Sequence, residues 1–391
     1  MTSPKYEWPN RQTGRAYTLP SRYFYDPQIM EDEKWAIFYK NWLLVGHISE
    51  FAQPRQFVTY EILDQLILIV RGDDGELRAF HNVCQHRGNK LVTEERGTSR
   101  RAFVCDYHAW SFGTDGALLG APRTYRLGNF NKADFCLPPV RVEEFAGFVY
   151  INLDPNAKSM QELFPGADKL MLEHAPDMEN LKFESVQDFI APINWKVAMD
   201  NGIEAYHLML SGPAHKDLAA MLDFKNFLPY LHGNWWALMG PAKADTTEIF
   251  GVEIGDSPYQ TNYFINTWIF PNTAVYCIPY ADFVATFLVI PLGPEKTLLR
   301  YGYYVPDREE TAITAAARDW LNEELGPEDL ELNLTTQAGL KSLGYNQGRY
   351  MIDDSKPHEG EHAVHHFHTL VYDALNEYQN NRLNGNGNGN R

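Results

Sequence analysis

The sequence predicts an α+β fold in which a small antiparallel β domain is inserted before a larger α+β domain, whose antiparallel sheet is flanked by helices. Between about residues 42 and 152, short β-type runs such as WLLVGHI, QFVTYEI and LILIVRG alternate with the turn sequences GDDGE, RGNK and GTDGA. Beyond residue 155 helical stretches accompany β-type segments, which dominate from 234 to 305. Two further helical stretches, around 309–342 and 359–379, close the larger domain.

These changes of pattern divide the chain into four segments. Residues 42–155 are expected to form the small β domain, and residues 156–380 the larger domain. Residues 1–41 precede the small domain and are expected to pack with the larger one. Residues 381–391 end in the low-complexity sequence LNGNGNGNR, which predicts a flexible tail. A chain of 391 residues is long enough to bury two hydrophobic cores.

Composition and charge exclude several classes of protein. The chain is 44% hydrophobic and 14% aromatic, which is typical of a globular protein. Its net charge of −17 argues against a nucleic-acid partner, because phosphate binding needs a basic surface. No apolar run approaches the roughly 20 residues of a membrane span. Four scattered cysteines indicate reduced thiols, so we predict a cytoplasmic protein without a membrane partner.

Two short stretches of the β domain combine cysteine with histidine. VCQHRGNK contains Cys84 and His86, and VCDYHAW contains Cys105 and His108, which gives C-x-H, eighteen residues, then C-x-x-H. Unrelated core cysteines and histidines are one interpretation. A structural zinc site is another, although the spacing differs from that of zinc fingers. The pattern favours a Rieske [2Fe–2S] centre, in which two cysteines hold one iron and two histidines the other.

The sequences CQHRG, CDYHAWSF and GTDGALLGAP resemble the cluster loops of the Rieske oxygenases, also called aromatic-ring-hydroxylating oxygenase α subunits. The resemblance implies that residues 42–155 are a Rieske domain and residues 156–380 a catalytic domain. It makes Cys84 and Cys105 ligands of the inner iron, and His86 and His108 ligands of the outer one. Four neighbours are expected to form tight turns or to cover the cluster: Gly88, Gly113, Tyr107 and Trp110.

A second group of candidates lies in NWKVAMDNGIEAYHLMLSGPAH. If this stretch is one helix with about 100° per residue, Asp200, Glu204 and His207 share one face. A solvated acidic face is the alternative, but Val197 and Ile203 nearby leave little room for a polar stripe. The stretch also resembles the segment that holds the catalytic iron in Rieske oxygenases. We therefore expect a mononuclear iron with two histidines and one carboxylate.

The resemblance implies a role for each polar residue of this stretch. His207 and His215 would bind iron, and Glu204 would be the carboxylate that bridges the cluster side and the iron side. Asp200, Asn201 and Tyr206 would support them. The two histidines are often five residues apart in the family but eight apart here, so His232 is the alternative to His215. The bridging acid is often Asp in the family and is Glu here, as in relatives that act on quaternary ammonium compounds.

The third iron ligand must be a carboxylate from farther along the chain. The stretch PEDLELNLTTQAGLKSLGYNQGR at 327–349 resembles the late helix of the family and places this ligand at Asp329, with Glu328 and Glu331 as local alternatives. The histidine-rich HEGEHAVHHFH at 358–368 resembles a generic C-terminal helix, for which we expect a surface or packing role.

The resemblance implies the terminal oxygenase component of a multicomponent system. A separate NAD(P)H-dependent reductase, directly or through a ferredoxin, would supply electrons to the [2Fe–2S] cluster, and O2 would react at a mononuclear Fe(II). Electrons would pass from His108 through Glu204 to His207 of a neighbouring subunit, within a homotrimer or an α3β3 assembly.

The substrate is less constrained by the sequence. We expect mono- or dioxygenation of an aromatic small molecule, with or without a carboxylate. The alternative is a monooxygenase or N-demethylase of a quaternary ammonium compound, and a remote alternative is a Rieske electron carrier without oxygenase activity. Stacking or cation–π contacts would hold either substrate. The aromatic residues expected near it are Trp235, Trp236, Phe264, Trp268, Tyr280 and Phe287.

Overall fold

The computed structural model describes residues 6–8, 15–256 and 258–384. Residues 39–160 form one unit, and residues 1–38 together with 161–391 form the other. The last helix continues to Leu383, three residues into the predicted flexible tail. The rest of that tail, beyond Asn384, lies outside the described residues.

The unit of residues 39–160 is built on a seven-stranded antiparallel sheet in the order β1-β10-β9-β4-β3-β2-β5. Its strands are β1 Leu43–His47, β2 Gln56–Ile62, β3 Gln65–Arg71, β4 Leu77–His81, β5 Arg96–Thr98, β9 Pro139–Phe145 and β10 Phe148–Asn152. β3 carries the apolar run LILIV and pairs on both sides, so the residues Ile67 to Val70 are fully buried.

A small three-stranded sheet completes this unit. It consists of β6 Phe103–Val104, β7 Ser111–Phe112 and β8 Leu118–Gly120 in the order β6-β7-β8. Cys84 follows the end of β4, and Cys105 follows β6 directly. Both cysteines pack in one hydrophobic cluster with Leu68, Phe80 and Phe112, so the two sheets hold the two cysteine loops together.

The other unit contains a second seven-stranded antiparallel sheet, in the order β11-β19-β18-β17-β16-β13-β12. Its strands are β11 Lys182–Ala191, β12 Leu228–His232, β13 Trp235–Pro241, β16 Tyr263–Ile269, β17 Thr273–Cys277, β18 Val284–Gly293 and β19 Lys296–Val305, and a separate hairpin is formed by β14 Glu248–Ile249 and β15 Val252–Glu253. The predicted β-rich region from 234 to 305 therefore forms most of this sheet.

One face of the central strands carries large side chains in cross-strand rows. Residues that alternate along β16 share a face, so Phe264, Asn266 and Trp268 point to the same side. Asn266 lies between Leu238 and Tyr276 in the strand register. A second row runs from Trp268 across three further strands through Ala274, Phe287 and Tyr301. These rows line the cavity described below.

Helices surround this sheet. They are α1 Pro27–Glu33, α2 Met160–Leu163, α3 Ala167–His174, α4 Trp195–Gly202, α5 Pro213–Met221, α6 Ala312–Trp320, α7 Gly326–Leu340 and α8 His362–Leu383. Lys34–Phe38 and Leu321–Leu325 form π-helical turns. Short 3-10 turns cover Ser21–Phe24, Ile48–Phe51, Thr124–Arg126, Lys132–Phe135, Met178–Asn180, Phe224–Asn226 and Pro357–Glu359. The predicted α+β class, with antiparallel sheets and flanking helices, is confirmed.

The helix expected to carry Asp200, Glu204 and His207 is shorter than predicted. α4 begins after Asn194, whose side chain accepts the N–H of Lys196, and it ends at Gly202. A Cβ at Gly202 would approach the Trp268 ring to 2.9 Å, so the end of α4 packs closely on the sheet. Glu204 and His207 lie in the turns that follow, and the prediction that they share a helical face with Asp200 is wrong.

Among the described residues, no helix has both the length and the apolar character needed to cross a membrane.

Candidate metal centres

The two cysteine loops of the β unit have the same backbone pattern. In each loop the cysteine N–H donates to the carbonyl five residues later, and the cysteine carbonyl accepts from the N–H four residues later. In the first loop the N–H of Cys84 donates to the carbonyl of Asn89 at 2.8 Å, and the N–H of Gly88 donates to the carbonyl of Cys84 at 3.0 Å. In the second loop the N–H of Cys105 donates to the carbonyl of Trp110 at 2.8 Å, and the N–H of Ala109 donates to the carbonyl of Cys105 at 2.9 Å. The loops therefore present their cysteine and histidine side chains in equivalent ways.

A left-handed residue closes each loop four positions after its cysteine. Gly88 has φ +72°, where glycine carries no steric penalty, and Ala109 has φ +55°. Gly113, which was expected to make a tight turn at the cluster, instead closes the β7–β8 hairpin, and its N–H donates to Ala117 at 2.9 Å. The second tight turn is therefore formed by Ala109, a residue that the sequence analysis missed.

The four candidate cluster ligands differ in exposure. Cys84 and Cys105 are each 2% exposed, whereas the His86 ring is exposed and the His108 ring partly so. The two rings lie 4.5 Å apart between centroids. Burial raises the pKa of the Cys84 thiol, and the Cys105 thiol nearby adds to this. Two thiols inside and two imidazoles outside fit a [2Fe–2S] cluster with one thiolate-bound and one imidazole-bound iron.

The two residues expected to cover the cluster, Trp110 and Tyr107, lie against its candidate histidine ligands and differ in exposure. Trp110 is buried and stacks on the His86 ring, with centroids 4.8 Å apart and planes 8° apart. Tyr107 is 56% exposed. Asn89, which the sequence analysis missed, places its Nδ2 3.7 Å from Cys105 Sγ. No local signal could reveal this contact, because it depends on the second loop.

The larger unit brings His207, His215 and Asp329 together. One ligand atom from each lies within 4.8 Å of the others. The Oδ1 of Asp329 is 2.9 Å from His215 Nε2 and 4.0 Å from His207 Nε2. Asp329 lies in the first turn of α7, and His215 lies in the first turn of α5 after Pro213. The proline between the two histidines therefore begins a new helix.

A carboxylate contacts the other ring nitrogen of each histidine. Glu204 contacts His207 Nδ1, and Glu328 lies 2.7 Å from His215 Nδ1 and accepts the N–H of Ala214 at 3.1 Å. Metal-bound histidines commonly have such partners, which fix the ring and leave Nε2 free for the metal. Burial alone would lower the pKa of His215, but Asp329 and Glu328 raise it above its ordinary value. Two histidines and one carboxylate fit a mononuclear iron with open positions.

The other residues predicted for this site have different surroundings. Glu204 accepts the N–H groups of Tyr206 and His207, which fixes its carboxylate within the turn. Asp200 points toward His368 at 2.8 Å, Asn201 lines the cavity, and the Tyr206 side chain is exposed.

The structure also locates the alternative ligands. His232 stacks on Trp235 with ring centroids 4.6 Å apart, and Glu331 is exposed on α7. Glu328, an alternative to Asp329, instead contacts the outer nitrogen of His215.

A cavity beside His207 and Asp329 is lined largely by apolar side chains. Three of the aromatic residues expected near the substrate line it: Phe264, Trp268 and Phe287. Of the others, Trp235 donates its indole N–H to Pro165, Trp236 stacks on Trp268 at 6.3 Å, and Tyr280 packs beside the β14–β15 hairpin. Among the lining residues that the sequence did not indicate are Asn266, Tyr276 and Tyr301. Their positions depend on the strand register rather than on a local motif.

A thiol–imidazole site in one unit and a site with two histidines and one carboxylate beside a cavity in the other define an iron-dependent oxidoreductase with two centres. Comparison with known families agrees with this class. Residues 41–131 match the model of the Rieske [2Fe-2S] domain, and residues 174–377 match the model of the ring hydroxylating alpha subunit, catalytic domain. The chain belongs to this family, the Rieske oxygenases.

Several relatives share nearly the whole chain. The carnitine monooxygenase oxygenase subunit of Escherichia coli K12 is 38% identical over 357 residues, which cover 91% of this chain and 93% of that protein. The chloroplastic choline monooxygenase of Beta vulgaris is 30% identical and covers 92% of this chain and 77% of its own. A solved structure of the quaternary ammonium Rieske monooxygenase CntA with L-carnitine is 34% identical, with a TM-score of 0.82 and coverage of 94% and 97%.

A structure of naphthalene 1,2-dioxygenase from Rhodococcus sp. is 20% identical, with a TM-score of 0.76, and supports the fold alone. The chain is thus an oxygenase subunit with a Rieske [2Fe–2S] cluster and a mononuclear iron as cofactors, and it needs a separate electron-transfer partner. The expected aromatic substrate is not confirmed, whereas the alternative of a quaternary ammonium substrate agrees with the names of these relatives.

Proposed function

We propose that this oxygenase subunit monooxygenates a quaternary ammonium compound. The observation that carries the proposal is the cavity beside the mononuclear iron site, which combines aromatic rings with carboxylates. Phe287 stacks on Tyr301 with ring centroids 4.6 Å apart, and Trp268 meets Phe287 edge-on at 6.1 Å. The faces of such rings attract a cation, and a methylated ammonium also has apolar surface that suits them.

The charges that line the cavity are compatible with the same substrate class. Glu204 and Asp329 line it together with the rings. A bound Fe(II), with two positive charges, would balance these two carboxylates, so the local charge must include the metal. The rings then supply the remaining attraction for a cation. The carnitine and choline monooxygenases among the relatives support this assignment by their names.

The ligand roles belong to the same proposal. Cys84 and Cys105 would hold the inner iron of the cluster, and His86 and His108 the outer one. The mononuclear iron would be held by the three side chains whose ligand atoms converge: His207, His215 and Asp329. When bound, the cluster supplies single electrons and the mononuclear iron supplies the activation of O2.

The chain's own residues do the positioning. Glu204 and Glu328 each contact the Nδ1 of one histidine, which keeps both Nε2 atoms directed at the side of Asp329. The aromatic rows of the sheet line the cavity and hold a C–H bond of the substrate beside the iron site formed by the two Nε2 atoms and Asp329. In the overall reaction one oxygen atom enters this C–H bond and the other leaves as water, which consumes two electrons and two protons.

The electrons come from a separate NAD(P)H-dependent reductase, directly or through a ferredoxin. We propose a homotrimer, or an α3β3 assembly, in which the cluster of one subunit serves the iron of its neighbour through Glu204. A CntA structure is described as giving insight into inter-subunit electron transfer, which supports the proposal.

Matched substrates test the substrate class. Choline and 3,3-dimethylbutan-1-ol have the same shape, but only choline carries the positive charge. We expect choline or L-carnitine to bind the iron-loaded enzyme at least about tenfold more tightly than the neutral alcohol, because cation–π attraction in a desolvated site reaches about 2 kcal/mol. Calorimetry measures binding, and product analysis with a reductase measures turnover.

Two results would contradict the proposal. Equal binding of choline and its neutral isostere would show that the charge is not recognised. Turnover of naphthalene or another arene, with none of the ammonium compounds, would restore the aromatic substrate that the sequence first predicts.

A further inference from the structure

Four charged or polar side chains form a line from α1 through α4 to α8. Lys196 Nζ lies 2.6 Å from Glu33 Oε1, and both side chains are completely buried. Lys196 and Asp200 are one helical turn apart on α4. Asp200 Oδ1 in turn lies 2.8 Å from Nε2 of His368 on α8. The line thus ends at a histidine in the segment for which the sequence predicts only a surface or packing role.

The surroundings of His368 hold its ring in one orientation. The residue is 1% exposed, and the rings of Phe24 and Trp8 lie 5.9 and 6.5 Å from it between centroids. Its Nδ1 contacts the hydroxyl of Tyr350. When that hydroxyl donates to Nδ1, the ring proton is on Nε2, where it faces the carboxylate of Asp200. Each ring nitrogen of His368 therefore has a polar atom close to it, the Tyr350 hydroxyl at Nδ1 and Asp200 Oδ1 at 2.8 Å from Nε2.

Asp200 lies at the end of α4, just before the chain turns toward the iron site. Burial raises the pKa of Asp200, and His368 is the first of the groups that act against this rise. Four residues later, Glu204 contacts Nδ1 of His207. The end of α4 is also bonded to the sheet, since Asn266 donates to the carbonyl of Gly202 at 3.1 Å. Movement of Asp200 would therefore be passed on to the turn that carries Glu204.

We propose that His368 is a positioning residue for the oxygenase reaction: by holding Asp200, it fixes the end of α4 from which Glu204 reaches His207. His368 acts on the transfer of electrons to the iron rather than on substrate binding, because it is absent from the residues that line the cavity in the described part of the chain. The proposal goes beyond the assignment of a substrate class and does not depend on it.

The test compares three variants of the full-length enzyme with both metals loaded. Electron passage is measured as reoxidation of the dithionite-reduced cluster by O2 in a stopped-flow instrument, with iron-depleted protein as the background. His368→Leu should slow the iron-dependent rate about tenfold, within the range known for outer partners of metal sites, while iron and sulfide contents stay at wild-type values.

His368→Gln should recover the rate to within about threefold of wild type, because its amide N–H can donate to Asp200 and its carbonyl can accept from Tyr350. The matched control is His366→Leu on the same helix, since the Nε2 of His366 lies 2.8 Å from the carbonyl oxygen of Gly233, away from Asp200. This control should keep the wild-type rate.

A wild-type rate in His368→Leu, or an equal loss in His366→Leu, would overturn the proposal. Failure of His368→Gln to recover the rate would also overturn the proposal. The packing of the imidazole ring, rather than its polar contact with Asp200, would then be responsible for the effect. If His368→Leu does not fold, Asp200→Leu makes the same test, because it keeps a side chain of similar size and removes the oxygen that faces His368. A tenfold loss there supports the proposal, and a wild-type rate contradicts it.

Discussion

Asp329 and Glu328 are adjacent carboxylates with different contacts at the iron site. Asp329 faces Nε2 of both histidines, whereas Glu328 contacts the outer nitrogen of His215. We expect Asp329→Ala to lose the mononuclear iron and retain the cluster. Glu328→Gln should keep the site but bind iron about tenfold to a hundredfold more weakly, as for other outer carboxylates. Iron and acid-labile sulfide analysis of each variant measures both effects.

Glu331→Gln is the control for these two variants, because Glu331 is exposed on the same helix. It should leave the metal content unchanged. If Glu328→Gln removes the iron and Asp329→Ala retains it, the two carboxylates have the opposite roles.

The Asn89 side chain contacts a candidate cluster ligand. Its Nδ2 lies 3.7 Å from Cys105 Sγ, and hydrogen bonds to cluster sulfurs raise the reduction potential because they stabilise the reduced, more negative state. Asn89→Ala should lower the midpoint potential by about 40 mV, which corresponds to one hydrogen bond of about 1 kcal/mol for a one-electron couple. A redox titration followed by EPR measures the shift.

The control for this variant is Asn131→Ala. Asn131 caps a 3-10 turn in a loop of the same unit, and its replacement should leave the potential unchanged. A shift of equal size in both variants, or none in Asn89→Ala, would contradict the role of Asn89.

At the scale of elements, the buried pair Glu33–Lys196 joins α1 to α4. Trp195 also donates its indole N–H to Glu33 at 2.7 Å, so both carboxylate oxygens have partners. Lys196→Met should destabilise the protein by about 3–5 kcal/mol, because it leaves the buried Glu33 carboxylate without a positive charge to offset its own. The double variant Glu33→Gln with Lys196→Met should be less destabilised than Lys196→Met alone. Urea denaturation measures both values.

The control is the exposed pair Lys182–Asp307, which has the same 2.6 Å separation. Lys182→Met should change the free energy of unfolding by less than about 1 kcal/mol, because solvent screens exposed pairs. Similar losses at Lys196 and Lys182 would show that burial does not govern the energy of the inner pair.

The elements also show what the sequence could predict. Cysteine and histidine spacing, together with the family resemblance, indicated the side chains that the structure brings together in each centre, because those motifs are local. The extent of α4 was wrong, since its end depends on Gly202 packing against Trp268, a contact with a distant strand. The contacts of His368 were not predicted for the same reason: Asp200 and Tyr350 come from other segments.

At the scale of the whole molecule, activity requires that electrons pass from the cluster to the mononuclear iron. Each unit of the chain holds the side chains of one centre, so a variant can remove one centre without touching the residues of the other. Cys84→Ser removes a candidate cluster ligand in residues 39–160, and Asp329→Ala removes a candidate iron ligand in the other unit. Each variant alone is expected to be inactive, because electrons either never enter the cluster or find no iron.

Co-expression of these two variants with different affinity tags tests the proposed trimer. In a ring of three that contains both variants, one of the three donor–acceptor pairs joins an intact cluster to an intact iron site, so about a third of the wild-type activity per subunit should return if electrons cross between subunits. No activity should return if they stay within one chain. Oligomers that carry both tags, with metal contents near half of wild type, provide the sample, and product formed per subunit is the measurement. Recovery near a third would establish transfer between subunits, whereas its absence in correctly mixed oligomers would place both steps in the same chain.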